Sequence, residues 1–574
     1  MTISCEKHKL RPASEVMTQE RIGAFRLTSL SFLRTMLRNM MRENWQIECT
    51  TFDLNEEGYG YAIYSVQTPK HLFSFIVIST RINEEERSDR VISEKWDVTF
   101  ALCEGTISSE KLERLKVELP KQEVGRSDSS DLVWSRANKS NRVFNYVIEC
   151  LTKQEQPDPQ TLNEVGYLLR TTAVYGNGKF GLAPYEKIKN DHPFSGPFQA
   201  QMFAVYMLRH FSFHLVEHIA HEKNSHSIKL GPEIKRFMGT GNATGLGMAP
   251  FLISHPKLIH QWIFFREKAI ARVKDIQPSQ SDLVILTQWL ERVSNYFEES
   301  RLIDREIFVN PEDLDKNIKR LKSLVVEYMS TREIEGQPVF DVWQELTEMV
   351  PIETQELLYT LLLELYAEHV IELEQYMGSE ESYQIDPKMT VDQLKQLIND
   401  QYAWVFDYDF TDPEEKYYFW YRSEEKEEPR LGIRGEDPGE EFEMPLNIAE
   451  QVQEVHQALE NDSSEQMITS FILKYPKYKG IIKRIQSLNG YEYGEIRMNL
   501  LSKKLSPVNL LRCKLSFFGA ERFNPKSDRW VRITLFQGAP LVEEIGEPFA
   551  DNWVFPQIPT KEGACYDSTR NNYY

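Results

Sequence analysis

Cysteine is scarce and scattered. The six cysteines of this 574-residue chain, Cys5, Cys49, Cys103, Cys150, Cys513 and Cys565, form no close pair. Their spacing gives neither a zinc knuckle nor a disulfide framework, and a reducing, cytoplasmic location is expected. Long apolar runs are missing too. The most apolar stretches, such as LLYTLLLELYAEHVIEL, are broken by Glu and His, so no membrane-spanning helix is expected. The opening MTISCEKHKLRPASEVMTQE lacks the apolar centre of a secretory signal. No basic stripe interleaved with aromatics occurs, so nucleic acid is not an expected partner. A nucleophile elbow of the G-x-S-x-G type and a kinase signature set are likewise absent.

What the chain has is apolar material. A hydrophobic fraction of 41%, with 31 Phe, 26 Tyr and 10 Trp, supports a sizeable core. The net charge of −20 is local: residues 341–460 hold 31 Asp and Glu against 7 Lys and Arg, which leaves the remainder near +4. The acidic region reads as a solvated face, and the remainder can host an anionic ligand.

Periodicity divides the chain in three. Residues 1–150 combine a helix with short alternating runs (WQIECTTFDL, YGYAIYSVQT, HLFSFIVIST, KWDVTFALCEG) that predict strands of an antiparallel or mixed sheet. A helix capped by Ser108 or Ser109 follows. Residues 151–400 are mainly helical, with 3.6-residue spacing over 197–222, 256–274, 280–300, 312–330, 340–349, 352–376 and 390–402. Residues 401–574 return to a mixed pattern, with strands expected in YAWVFDYDF, KYYFWYRSEE, LLRCKLSFFGA and RWVRITLFQGAP and a long acidic surface loop at RLGIRGEDPGEEFEMP. The expected fold class is α+β.

The densest chemistry is RHFSFHLVEHIAHE, residues 209–222, within a stretch from His192 to His260 that holds eight of the chain's twelve histidines. At about 100° per residue, His210, His214, His218, His221 and Glu217 share one helical stripe. Imidazoles at i and i+4 can grip one metal ion. His214-Leu-Val-Glu217-His218 also fits the H-x-x-E-H pattern, in which two histidines bind zinc and Glu is the general base. The chain lacks the repeated halves of the inverted-zincin peptidases, so no family follows from five residues. Glu291 or Glu298 could supply a third ligand. The plain alternative is a polar helix face against aromatics.

Two Gly-Asn stretches bracket this helix, RTTAVYGNGKFGLAP (170–184) and GTGNATGLGMAPF (239–251). Glycines let backbone N–H groups approach an anion, with Arg170, Asn177, Lys179, Asn242 and Thr244 as polar partners. Gly176, Gly178 and Gly181 spell G-x-G-x-x-G, but no carboxylate follows near position 200, as a dinucleotide site requires. Ala173 and Phe180 break a Walker loop. Close packing or turns explain the same glycines. In 517–540, Arg532 between Trp530 and Phe536 could clamp a carboxylate, or simply snorkel from a strand.

The expectation is therefore an enzyme acting on a small, anionic organic substrate. His214 and His218 are the candidate ligands of a divalent metal, Glu217 and His210 the acid–base groups, and Arg170, Asn177, Lys179, Asn242 and Thr244 the substrate contacts. Metal-dependent hydrolysis, oxidoreduction or histidine acid–base catalysis all suit such a site. The rival expectation is a non-catalytic helical scaffold whose acidic face binds a partner.

Overall fold

Strand formation follows the alternating runs closely. β1 (Gln46–Leu54), β2 (Gly60–Gln67), β3 (Leu72–Ser79) and β4 (Val98–Glu104) form an antiparallel meander, continued by β5 (Asp131–Lys139) and β6 (Tyr167–Thr171). β7 (Gly239–Gly245) joins β6 in parallel. A separate hairpin is formed by β8 (Phe419–Ser423) and β9 (Glu428–Gly432), and the C-terminal hairpin of β10 (Ala520–Pro525) and β11 (Trp530–Leu535) extends the main sheet. The result is a nine-stranded mixed sheet ordered β1-β2-β3-β4-β5-β6-β7-β11-β10, and with its many helices the chain is α+β. The computed structural model describes residues 10–83, 85, 95–121, 127–171, 192–196, 198–245, 256–301, 311–331, 342–377, 385–412, 419–423, 428–432, 448–495, 512–513, 516–525, 530–546 and 553–560.

Burial follows position in the sheet. The edge strand β1 is largely exposed, whereas β3 to β6 are covered on both faces. On one face Ile76, Ile78, Ala101, Cys103 and Trp134 pack with Leu115 and Leu119 beside the Ser109–Glu118 helix. Ser108 caps that helix by accepting from Lys111 N–H. The other face carries the Gln199–Lys223 helix, which runs across β3 to β7. Its sequence contains neither Gly nor Pro, so nothing interrupts its hydrogen-bond ladder. Arg209 anchors it. The buried guanidinium donates to the carbonyls of Lys235, Arg236, Met238, Ala539 and Pro540 at 2.7–3.1 Å, taking up the free carbonyls that end the Pro232–Phe237 helix.

Contacts divide the chain into two compact units, each assembled from distant segments. One contains Met1–Arg26, Leu246–Val284 and Leu324–Phe517; the other contains Leu27–Gly245, Ile285–Ser323 and Phe518–Tyr574, and so holds the nine-stranded sheet. The first unit is mainly helical around a buried ion cluster. Arg11 makes a two-pronged contact to Glu267 at 2.7 Å and reaches Glu356 at 2.7 Å, while Arg21 meets Glu356 at 3.0 Å and Arg266 meets Glu267 at 2.9 Å. Both carboxylates and Arg266 are fully buried. Burial alone would push the Glu356 carboxyl up, but the charges of Arg11 and Arg266 hold it well below the usual range.

Two expected strands are helical instead. YAWVFDYDF ends the Val391–Tyr402 helix and forms the 3-10 turn Ala403–Asp407, with Trp404 and Val405 buried. Gln453 donates to the carbonyls of Val405 and Tyr408, bonds that a strand ladder would otherwise make. In LLRCKLSFFGA, residues 512–513 and 516–518 are helical, and Ser516 Oγ donates to Arg512 O at 2.9 Å, a bond of helical spacing. Short apolar runs do not separate strand from helix by period alone. Among the described residues no helix is long and apolar enough to cross a membrane.

Candidate functional site

The histidine stripe lies where the Gln199–Lys223 helix passes the β1–β2 end of the sheet. Tyr64 on β2, fully buried, packs against the rings of His210 and His214, with centroids 5.6 and 5.8 Å away. Its hydroxyl is 2.9 Å from His214 Nδ1. His210 and His214 themselves meet at 4.3 Å between centroids. Glu543 completes the group from the short Val542–Glu544 turn: the ligand atoms of His210, His214 and Glu543 all lie within 4.8 Å of one another. Its neighbour Glu544 fixes that turn, bonding Arg236 Nε at 2.8 Å and accepting from Leu541 N–H at 2.9 Å.

Electrostatics keep both imidazoles neutral at pH 7. Burial pushes His210 well below its ordinary range, and His214, Lys235 and Arg209 add to the effect. Burial also lowers His214. A neutral imidazole presents a lone pair, which a metal needs and a protonated ring lacks.

Two other members of the stripe, His218 and Glu217, are engaged elsewhere. His218 Nε2 is 2.9 Å from the carbonyl of Asn55, and its ring meets Phe52 at 5.3 Å. Glu217 Oε1 accepts from Leu230 N–H at 3.0 Å and pairs with Lys235 Nζ at 2.7 Å. Glu291, one expected third ligand, pairs with Lys322. The carboxylate beside the histidines is Glu543, which sequence reading missed because nothing in its local pattern marks it.

Among the described expected contacts, Arg170 and Asn242 leave the sheet on opposite faces. Arg170 on β6 registers with Gly241, so its side chain leaves the sheet on the Gly241 face, whereas the next residue, Asn242, leaves on the opposite one. Asn242 shares its face with Thr240, whose hydroxyl meets Val205 O at 3.3 Å. Val205 precedes His214 by nine residues, about 13 Å along the helix at ~1.5 Å per residue. Thr244 pairs with Val531 in the sheet. Asn177 and Lys179 lie outside the described residues.

Close packing accounts for two of the glycines. A Cβ on Gly241 would stand 2.3 Å from the Tyr167 ring, and one on Gly239 would stand 2.3 Å from Leu535 O. Here glycine is required by neighbouring strands and rings.

A second histidine–carboxylate group, His71, Glu104 and His192, lies at the end of the β3–β4 hairpin. Hydrogen bonding separates the two groups. Phe194 N–H donates to His192 Nδ1 at 3.1 Å, so the neutral ring carries its proton on Nε2, a buried nitrogen with no partner among the described residues. A cation there would meet a donor instead of a lone pair. At His214 the bond to Tyr64 engages Nδ1 and leaves Nε2 as the other ring nitrogen, the arrangement common to metal-bound histidines. The His210–His214–Glu543 group is therefore the better candidate metal centre. The chain matches no protein-family model, no curated protein and no solved structure.

Proposed function

We propose that His210, His214 and Glu543 hold a divalent transition metal and that the protein is a metal-dependent enzyme, with hydrolysis of a small anionic substrate as its reaction class. Two imidazoles and one carboxylate suit zinc, and three protein ligands leave a coordination position for water or substrate. The bound metal would lower the pKa of that water and polarise the bond under attack. Ligand atoms around one zinc stand roughly 3–3.5 Å apart, so the group closes by small side-chain movements.

One observation carries this reading: two neutral imidazoles at i and i+4 converge with a carboxylate from a distant part of the chain. The test is elemental analysis of protein purified without chelator or a nickel tag, beside a His210→Ala, His214→Ala double variant and Glu543→Gln. Near-stoichiometric metal in the native protein, lost from the double variant and reduced in Glu543→Gln, supports the site. Metal-free native protein that also takes up no added zinc overturns it.

A further inference from the structure

Of the three proposed ligands, Glu543 is the one that its own element does not fix. His210 and His214 stand on a 25-residue helix, whereas Glu543 is exposed and belongs to the three-residue 3-10 turn Val542–Glu544. What fixes that turn is the next side chain. Glu544 Oε1 accepts from Arg236 Nε at 2.8 Å, and Oε2 accepts from Leu541 N–H at 2.9 Å. A second guanidinium nitrogen, Nη2, lies 2.5 Å from Oε1. Arg236 is held at its backbone as well: its carbonyl accepts from Gly538 N–H at 2.7 Å and from Arg209 at 3.1 Å. The Pro232–Phe237 helix is thus joined to the chain leading into the turn through Arg236 O, and to the turn itself through the guanidinium.

We infer that Arg236 is a positioning residue for the metal site, acting through Glu544 to hold the Glu543 carboxylate where His210 and His214 converge. This rests on the metal reading of His210, His214 and Glu543. With three residues per turn, successive side chains of a 3-10 turn diverge by about 120°. Glu543 and Glu544 therefore point to different partners: Glu544 is drawn to Arg236, and Glu543 faces the histidines. A forked contact between arginine and carboxylate fixes direction as well as distance. A turn already ordered before the metal arrives does not have to be ordered in the binding step, which is the gain of preorganisation. Arg236 does not belong to the proposed ligand set, so its effect on the metal is indirect.

The experiment measures zinc affinity by competition with chromophoric chelators of graded strength. The proteins are the native chain, Arg236→Ala, Arg236→Lys, Glu543→Gln and the Arg236→Ala, Glu543→Gln double variant, with thermal melting of each metal-free protein as the folding control. Arg236→Ala should weaken zinc binding about ten-fold, the lower end for outer-shell partners. Arg236→Lys should fall between that and native, because an ammonium keeps the charge but not the fork. The deciding comparison is the double-mutant cycle. If Arg236 acts through Glu543, its loss should change affinity by less than about two-fold in the Glu543→Gln background. Should Arg236→Ala fail to fold, Arg236→Lys goes through the same cycle. Native affinity in the Arg236 variants, or equal weakening in both backgrounds, overturns the inference while the metal site stands. Failure of the native protein to bind zinc removes the site reading itself, and the positioning role falls with it.

Discussion

Lys235 Nζ stands 2.7 Å from Glu217 Oε1, and the same oxygen accepts the Leu230 N–H. The carboxylate that the H-x-x-E-H spacing offers as a general base is thus occupied in joining the histidine helix to the segment that follows it. Glu217→Gln should leave metal stoichiometry unchanged and lower stability by about 1–3 kcal/mol, the cost of leaving a partly buried partner unsatisfied. Denaturant melts beside elemental analysis check both halves. Loss of activity in a stably folded variant would restore Glu217 to the chemistry.

His218 and His214 differ in the same way. His218→Ala removes a bond to the Asn55 carbonyl at the β1–β2 turn and should keep the metal, whereas His214→Ala alone should lose most of it. Metal content of the two single variants separates the ligand pair read from i,i+4 spacing at 214 and 218 from the one at 210 and 214.

His260 gives a signed pH dependence. It is buried in the helical unit, with Nδ1 3.4 Å from Gly494 O and its ring 4.5 Å from that of Tyr491. Burial pushes its pKa down to about 4. A base whose pKa is depressed in the folded state binds its proton more readily when unfolded, so stability rises with pH across this window. The His260 contribution is complete above an unfolded value near ~6.5 and is lost as pH falls towards about 4. Urea titrations between those limits should show a shallower slope in His260→Gln; an unchanged slope counts against burial of the neutral ring.

Glu356 gives a pH dependence of the same sign at lower pH, with the charged form stabilised instead of the neutral one. Its carboxylate is fully buried among Arg11, Arg21 and Arg266, so the stability it contributes is present above the usual carboxylate range and is lost only in stronger acid. Glu356→Gln strands buried guanidinium charge and should cost about 3–5 kcal/mol. A loss under ~1 kcal/mol by urea unfolding would mean that the arginines find other partners.

Gly241→Ala tests whether the second Gly-Asn stretch serves packing or a ligand. With a Cβ 2.3 Å from the Tyr167 ring, the variant should lose about 1–3 kcal/mol through overpacking. The added change Tyr167→Ala should recover part of the loss relative to Tyr167→Ala alone. Unaltered melting with lost activity would favour ligand approach instead.

Much of the secondary structure was legible because its periods are local. The alternating runs of 45–105 became β1 to β4, Ser108 capped its helix, and the 3.6-residue stretches from 197 to 402 became helices near the expected limits, except that the one expected over 352–376 ends as an α-helix at Leu365 and continues as 3-10 turns. The histidine stripe was legible for the same reason, since i and i+4 share a face in any α-helix. A short apolar run carries no such signal, and YAWVFDYDF folded as a helical turn once Gln453 took up its carbonyls.

The partners of that stripe were not legible. That β6 would take β7 as a parallel neighbour, and β7 would take the C-terminal hairpin, depends on pairing between distant segments. Only that pairing, with Arg209 binding the 235–238 and 539–540 carbonyls, brings Glu543 to His210 and His214. Only cross-strand register places Tyr64 beneath them and Cys49 beside Tyr64. By itself the sequence determined the α+β class, most elements and the row of imidazoles, because each depends on neighbours within a few residues. Tertiary structure decided which imidazoles are buried and which meet a carboxylate, because burial and long-range contacts have no local period.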